Sequence, residues 1–380
     1  MSMFEVYPLF DVTPVKGKDV YVYDDNNVEY LDLYGGHAVI SIGHLHPTYV
    51  SAITDQLQRI GFYSNAVQNP LQNQLAKKIE KLSNCKDYQL FLCNSGAEAN
   101  ENALKLASFH TGKTKVLAFK NAFHGRTSAT VAATDNSKIL SPLNSQHQVD
   151  FVELGNLEAV ESILKQQQTC AIIIEAIQGV GGLDEACLWF YKGLADLCKT
   201  YNTCLITDEV QSGFGRSGDF FGFQKFNIQP DIISMAKGMG NGFPIGGILI
   251  HPHIKASYGM LGTTFGGNHL ACRAALAVLE VIEKQNLMQN AIEMSTYFKD
   301  KAKSVKGLKA FKGRGLMLGL EFDFPVADLR KRLLYNQNIF TGSSKKPNLI
   351  RILPPLTIQE KHWDRFFEAL QIEINNNLKK

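Results

Sequence analysis

No apolar run in this sequence approaches the roughly 20 residues that cross a bilayer, so no membrane-spanning helix is expected. Met1 to Phe10 lacks a basic stretch followed by an apolar core, and no secretory signal is expected there. An excess of one charge is missing too. The 39 basic and 36 acidic residues leave a formal charge of +3, too even for a nucleic-acid surface, although a small anionic ligand needs only a local positive site. The seven cysteines (Cys85, Cys93, Cys170, Cys187, Cys198, Cys204 and Cys272) form no C-x-x-C pair and are odd in number. Scattered reduced thiols in a cytoplasmic protein are therefore expected, not a disulfide framework or a metal site. His44, His46 and His124 show no metal-ligand spacing, so packing, turns or substrate contact fit them better.

What remains is an ordinary globular composition, 45% hydrophobic and 20% charged. Its 380 residues exceed the usual single core, so two domains are expected. Val20 to Tyr23 and Tyr30 to Leu33 flank a turn at Asp24 to Asn27 and predict a hairpin. From Pro47 onward, helical patterns alternate with short apolar strands. Strands are predicted at Gln89 to Cys93, Lys115 to Phe119, Asp150 to Leu154, Ala171 to Glu175, Cys204 to Asp208, Ile232 to Met235 and Gly246 to Ile250. Short Ile-, Val- and Leu-rich runs separated by helices predict an α/β fold with a mostly parallel central sheet. A helix over Ala271 to Lys284 would connect it to a smaller α+β unit containing the apolar segment Gly315 to Phe322 and a final helix from Gln359. The expected division is residues 1–45 with the small domain, 46–268 as the large domain, and 269–380 as connector and small domain.

Two motifs mislead. Gly213-Phe-Gly-Arg-Ser-Gly218 spells a dinucleotide fingerprint, but Asp219-Phe-Phe-Gly-Phe follows it where a helix must start. Thr111-Gly-Lys-Thr114 resembles the end of a P-loop, with Ala107 where its first glycine belongs. Three others carry chemistry. Asn94-Ser-Gly-Ala-Glu-Ala-Asn-Glu101 turns a strand into a helix, with Asn94 or Ser95 as cap, and offers free N–H groups to an anion. Leu205-Ile-Thr-Asp-Glu-Val-Gln211 ends a strand at Asp208, on the sheet edge where open α/β folds bind ligands. Ile232-Ile-Ser-Met-Ala-Lys-Gly238 ends another at Lys237, whose amine is made more nucleophilic by desolvation. Taken singly, these are equally a capped helix, a capping acid and a surface lysine. Together they meet the needs of pyridoxal phosphate: donors for its phosphate, an anion for its pyridine nitrogen and an amine for its aldehyde.

With these motifs and with Gly43-His44-x-His46-Pro47, Phe123-His-Gly-Arg-Thr127 and Gly262-Thr-Thr-Phe-Gly-Gly-Asn268, the chain resembles the class III (ornithine-type) aminotransferases over nearly its whole length. Within them it is most similar to the acetylornithine/succinylornithine aminotransferase group. The resemblance implies a fold-type I homodimer with shared active sites. It implies transfer of the side-chain amino group of an N-acylornithine to 2-oxoglutarate, in arginine biosynthesis. Lys237 would hold the cofactor and shuttle the proton, and Asp208 would pair with the ring nitrogen. Gln211 would lie near the ring's phenolic oxygen and Phe123 would stack on the ring. Ser95, Gly96 and Ala97 would bind the phosphate, joined by Thr264 from the partner subunit. Arg126 would clamp the substrate α-carboxylate and Thr263 would touch substrate.

Three positions depart from the pattern. Gln178-Gly-Val-Gly181 carries Val180 where relatives have a glutamate that pairs with an arginine matched here by Arg351. Arg351 is therefore expected to be available to a second carboxylate, unless another acid compensates. His37 stands where relatives have an apolar or aromatic pocket residue, and His269 where they have proline. Other readings are an ornithine, GABA or other ω-amino-acid aminotransferase, an aminomutase or racemase using the same cofactor, or a ligand-binding protein that kept the fold.

Overall fold

The computed structural model describes residues 2–377. The chain opens with β1 (Pro14–Lys18), β2 (Tyr21–Asp24) and β3 (Glu29–Asp32), an antiparallel meander that includes the expected hairpin. The central sheet follows: β4 (Gln89–Cys93), β5 (Lys115–Phe119), β6 (Val149–Val152), β7 (Thr169–Glu175), β8 (Cys204–Asp208), β9 (Ile232–Met235) and β10 (Gly246–Ile250). Its order is β4-β10-β9-β8-β7-β5-β6, with parallel pairing from β9 to β6 and only β10 reversed between its neighbours. Every residue of β7 and β8 is buried. Strands covered on both faces need such uninterrupted apolar runs, and the sequence supplies them.

One face is covered by the helix Gly96–Thr111, whose Ala103, Leu104 and Ala107 pack with Ile173, Ile206 and Ile232. On the other face Val160, Phe190 and Leu194 meet Ile172, Ile174 and Leu205. The segment 213–218 forms turns and is followed only by a short 3-10 helix, Gly222–Phe226, not by the amphipathic helix that a dinucleotide fingerprint needs.

The connector helix begins at His269, earlier than expected, because the Asn268 side chain accepts from Ala271 N at 2.9 Å and caps it. Beyond it lie β11 (Leu308–Arg314), β12 (Met317–Phe322), β13 (Ile339–Phe340) and β14 (Leu349–Ile352), and the helix Glu360–Asn377. β11, β12 and β14 form an antiparallel sheet, whereas β13 joins β3 in parallel and so ties the two ends of the chain together. Two β-strand positions shifted: β6 ends at Val152, not Leu154, and β7 starts two residues early at Thr169. No described helix is long and apolar enough to cross a membrane. All seven cysteines are free thiols, and among the described residues no group of His, Cys, Asp and Glu is arranged to hold a metal ion.

Strand register decides where the chemistry falls. Cys93 pairs with Gly246, Met235 with Gly247, Ser234 with Asp208, and Asp208 with Glu175. Ser95 and Lys237, each two residues past its strand, are thereby brought to the same sheet edge as Asp208 and Glu175.

Candidate active site

At this edge Ser95, Gly96, Ala97, Phe123, Arg126, Asp208, Gln211 and Lys237 line one cavity of about 340 Å³. Ser95 is the helix cap, its Oγ accepting from Glu98 N at 3.2 Å, while the Glu98 carboxylate accepts from Asn94 N at 2.9 Å. The helix's first N–H groups have no acceptor within the helix and face the cavity, which suits an anion. A Cβ on Gly96 would lie 2.6 Å from Val210 Cγ1. Gly96→Ala is expected to displace this turn, at a cost of about 1–3 kcal/mol, and to weaken cofactor retention roughly in proportion. Titrating the protein with cofactor by absorbance checks it.

Asp208 is buried, and its carboxylate is held on both oxygens. Oδ1 accepts from Val210 N at 3.0 Å, and Oδ2 lies 2.8 Å from Asn100 Nδ2 and 2.7 Å from His124 Nδ1. His124 Nε2 is itself buried without a partner. Beside Asp208, Glu175 accepts from Phe123 N at 3.0 Å and Gly179 N at 2.8 Å. Burial raises the Glu175 pKa, against the pull of His124. Asn100, His124 and Glu175 were not singled out as site residues. Asn100 lies within the motif 94–101 and His124 next to Phe123, but their convergence on Asp208 is a tertiary fact.

Lys237 follows β9 with φ +43°, the left-handed region, which side chains other than glycine rarely occupy. Desolvation lowers its pKa to about 8, against the opposing effect of Asp208. Roughly a tenth of the amine is thus unprotonated, and nucleophilic, at pH 7, far more than for a solvated lysine.

Four of the predicted site residues do not line the cavity. Thr263 sits beside the turn, its Oγ1 3.4 Å from Asn94 Nδ2, while Thr264 is exposed on the neighbouring segment. Arg351 is buried behind the wall, where Nη1 donates to Gly179 O at 2.9 Å and to Gln211 Oε1 at 3.3 Å. The Gln211 amide in turn donates to the His37 carbonyl at 3.3 Å. Gln211 therefore links Arg351 to His37 as well as lining the cavity, a role its spacing did not suggest. The His37 ring lies against Tyr34, with centroids 4.6 Å apart and the Tyr34 hydroxyl 2.6 Å from the ring nitrogens. Desolvation, then Arg351 and Lys237, lower its pKa to about 4, so the ring is neutral at physiological pH.

These groups fit pyridoxal phosphate on the structure's own terms. The turn has no room for a side chain at Gly96, the carboxylate is fixed by two side-chain partners, and the depressed amine opens on the same space. A mostly parallel α/β sheet with this trio at one edge defines an enzyme that uses pyridoxal phosphate, and the comparisons with known proteins give the reaction type. The chain belongs to the aminotransferase class-III family, which it matches over residues 4–374. It is 40% identical to the acetylornithine aminotransferase of Aquifex aeolicus over 375 residues, covering 96% of this chain and 97% of that one. It is 38% identical to the acetylornithine aminotransferase of Bacillus subtilis over 378 residues (97% and 96%). Its fold superposes on the ornithine aminotransferase of Toxoplasma gondii with a TM-score of 0.91 at 26% identity, covering 98% of this chain and 93% of that one.

Proposed function

We propose that this enzyme moves the side-chain amino group of an N2-acylated ornithine to 2-oxoglutarate, giving the semialdehyde and glutamate, in arginine biosynthesis. The acetylornithine aminotransferases it resembles support the substrate pair. The observation that carries the chemistry is the opening of Lys237, Asp208 and the 95–97 turn onto one cavity.

When bound, pyridoxal phosphate supplies an aldehyde for the amine and a ring that takes up electrons as the substrate carbon loses its proton. The Lys237 amine would anchor that aldehyde until the substrate's amino group displaces it, and the freed Lys237 Nζ would then take the proton from the amine-bearing carbon and return it on the cofactor side. Asp208 keeps the ring nitrogen protonated, with Asn100 and His124 fixing its orientation. Phe123 would offer an aromatic face to the ring, and Ser95, Gly96 and Ala97 would hold the phosphate. Gln211, already tied to Arg351 and His37, would be the residue offered to the ring's phenolic oxygen. Exposed at the cavity mouth, Arg126 suits the substrate α-carboxylate through a bidentate guanidinium pair.

We assign Thr264 to the phosphate of a partner subunit and Thr263 to substrate contact, which makes the working unit a homodimer. Phe62 and Phe265, exposed beside Thr264 with ring centroids 5.4 Å apart, favour a covered face there. The division into residues 1–45 and 269–380 against 46–268 is proposed from the shared sheet of β3 and β13. Cytosolic residence agrees with the free thiols.

Arg351 bonds only neutral acceptors, and its Nε is buried without a partner. We assign it to a second carboxylate, that of 2-oxoglutarate or of an N-succinyl group, which would replace Gln211 Oε1 on Nη1 once the cavity-lining Gln211 side chain swings aside, with His37 and Tyr34 close to the guanidinium. Losing a charge-assisted pair of about 1.5–3 kcal/mol predicts that Arg351→Ala raises KM for 2-oxoglutarate roughly 10- to 100-fold. A kcat/KM panel of N-acetyl- and N-succinylornithine in both proteins is the check. Strong preference for the acetyl donor, with KM for 2-oxoglutarate untouched by the substitution, contradicts the assignment. An obligatory 2-oxoglutarate requirement separates transfer from an aminomutase or racemase.

A further inference from the structure

The left-handed backbone of Lys237 demands an explanation, because a non-glycine residue holds φ +43° only where its surroundings over-determine it. The turn after it ends in two further positive-φ residues. Asn241 has φ +47° and Gly242 φ +103°, and the 3-10 turn Lys237–Met239 is closed by Gly240 N donating to Lys237 O at 3.0 Å. What holds this turn comes from the far end of the chain. Ser41 Oγ donates to Gly238 O at 2.7 Å. Asn241 Oδ1 accepts from Ser41 N at 2.8 Å and Ile42 N at 3.0 Å, while Asn241 Nδ2 donates to Gly43 O at 3.0 Å. Tyr49 Oη adds a bond to Gly240 O at 2.7 Å. Ser41 and Asn241 are both buried. One carboxamide thus meets three backbone groups of residues 41–43, as a strand partner would, and one hydroxyl holds the carbonyl next to Lys237.

We infer that Ser41 and Asn241 form a clasp that positions Lys237, locking its strained backbone so that Nζ keeps one approach to the cofactor and the substrate carbon. This rests on the aminotransferase reading above. Neither residue lines the cavity, so both act through Lys237 and touch no reacting atom. Ser41 lies two residues beyond Val39, which lines the cavity, so the clasp also joins that wall to the turn bearing the amine.

The experiment compares wild type, Ser41→Ala and Asn241→Gly as cofactor-loaded proteins. Glycine at 241 tolerates φ +47°, so that variant removes the clasp without adding strain of its own. A small misplacement of an acid–base group costs up to about 100-fold in rate. The expected result is therefore a kcat about tenfold lower in Ser41→Ala and up to about 100-fold lower in Asn241→Gly, with KM within about twofold. The pH titration of the bound cofactor's absorbance should shift its midpoint by about half a unit or more. Unchanged kcat with an unshifted titration overturns the inference. So does a kcat loss matched by rising KM with an unshifted titration, which is the mark of general loosening. If Asn241→Gly fails to fold, Ser41→Ala decides alone. The titration needs no amino donor, so a wild type inactive on acylornithines would refute the substrate reading and leave this test standing.

Discussion

Lys237→Ala is expected to lower amino-group transfer by about 10⁴-fold or more, since it removes both the covalent anchor and the acid–base group. The magnitude follows from the setting. No other cavity-lining residue is a lysine, so no second amine stands ready to take the aldehyde. The same burial that lowers the Lys237 pKa to about 8 sets the sign of the pH effect. Below that value the amine is increasingly protonated and cannot attack, so cofactor attachment to the wild type should accelerate as pH rises toward 8 and level off above it. The alanine variant should show neither this dependence nor the absorbance of the attached cofactor. Single-turnover rates with N-acetylornithine measure the first effect, and residual turnover within about tenfold of wild type would be incompatible with the assigned role.

Asp208→Asn is expected to cost about 10³-fold in kcat, the scale of losing one preorganised electrostatic partner. The substitution preserves shape but removes the charge that keeps the ring nitrogen protonated. It also disturbs the shell behind it, because Asn100 Nδ2 and His124 Nδ1 both meet Oδ2 while Val210 N donates to Oδ1, so either orientation of the new amide sets its NH2 against at least one donor. His124→Ala should fall between this variant and wild type, as the carboxylate remains but loses an orienting contact. Presteady-state kinetics with one amino donor rank the three proteins. An Asp208→Asn enzyme with unaltered kcat would remove Asp208 from the site.

Much of this was readable in the residues, and the reason is local. Ile- and Val-rich runs that are buried on both faces leave little choice but a parallel sheet, and β7 and β8 appear where the apolar runs lie. The segment 213–218 could be rejected because a dinucleotide turn must be followed by a helix, a rule that acts over a few residues. Less visible was whatever depends on distant segments. β11, with the sequence LKAFKGR, is half-exposed and carries little strand signal of its own, and the two residues of β13 become a strand only by pairing with β3. The acid–base shell behaves alike: His124 and Asn100 meet Asp208 across 84 and 108 residues. Val180 flagged Arg351 as lacking its usual acid, but not that Gln211 and a backbone carbonyl would occupy it instead. Ser41 carries no signal at all without the turn that it grips.

The central claim is tested most directly by loading the protein with pyridoxal phosphate, reducing it with borohydride and mapping the modified peptide by mass spectrometry. The account predicts one labelled residue, Lys237, with label lost in Lys237→Ala and greatly reduced in Gly96→Ala at limiting cofactor. Label on a different lysine, or none on a protein that still transfers amino groups, would contradict it.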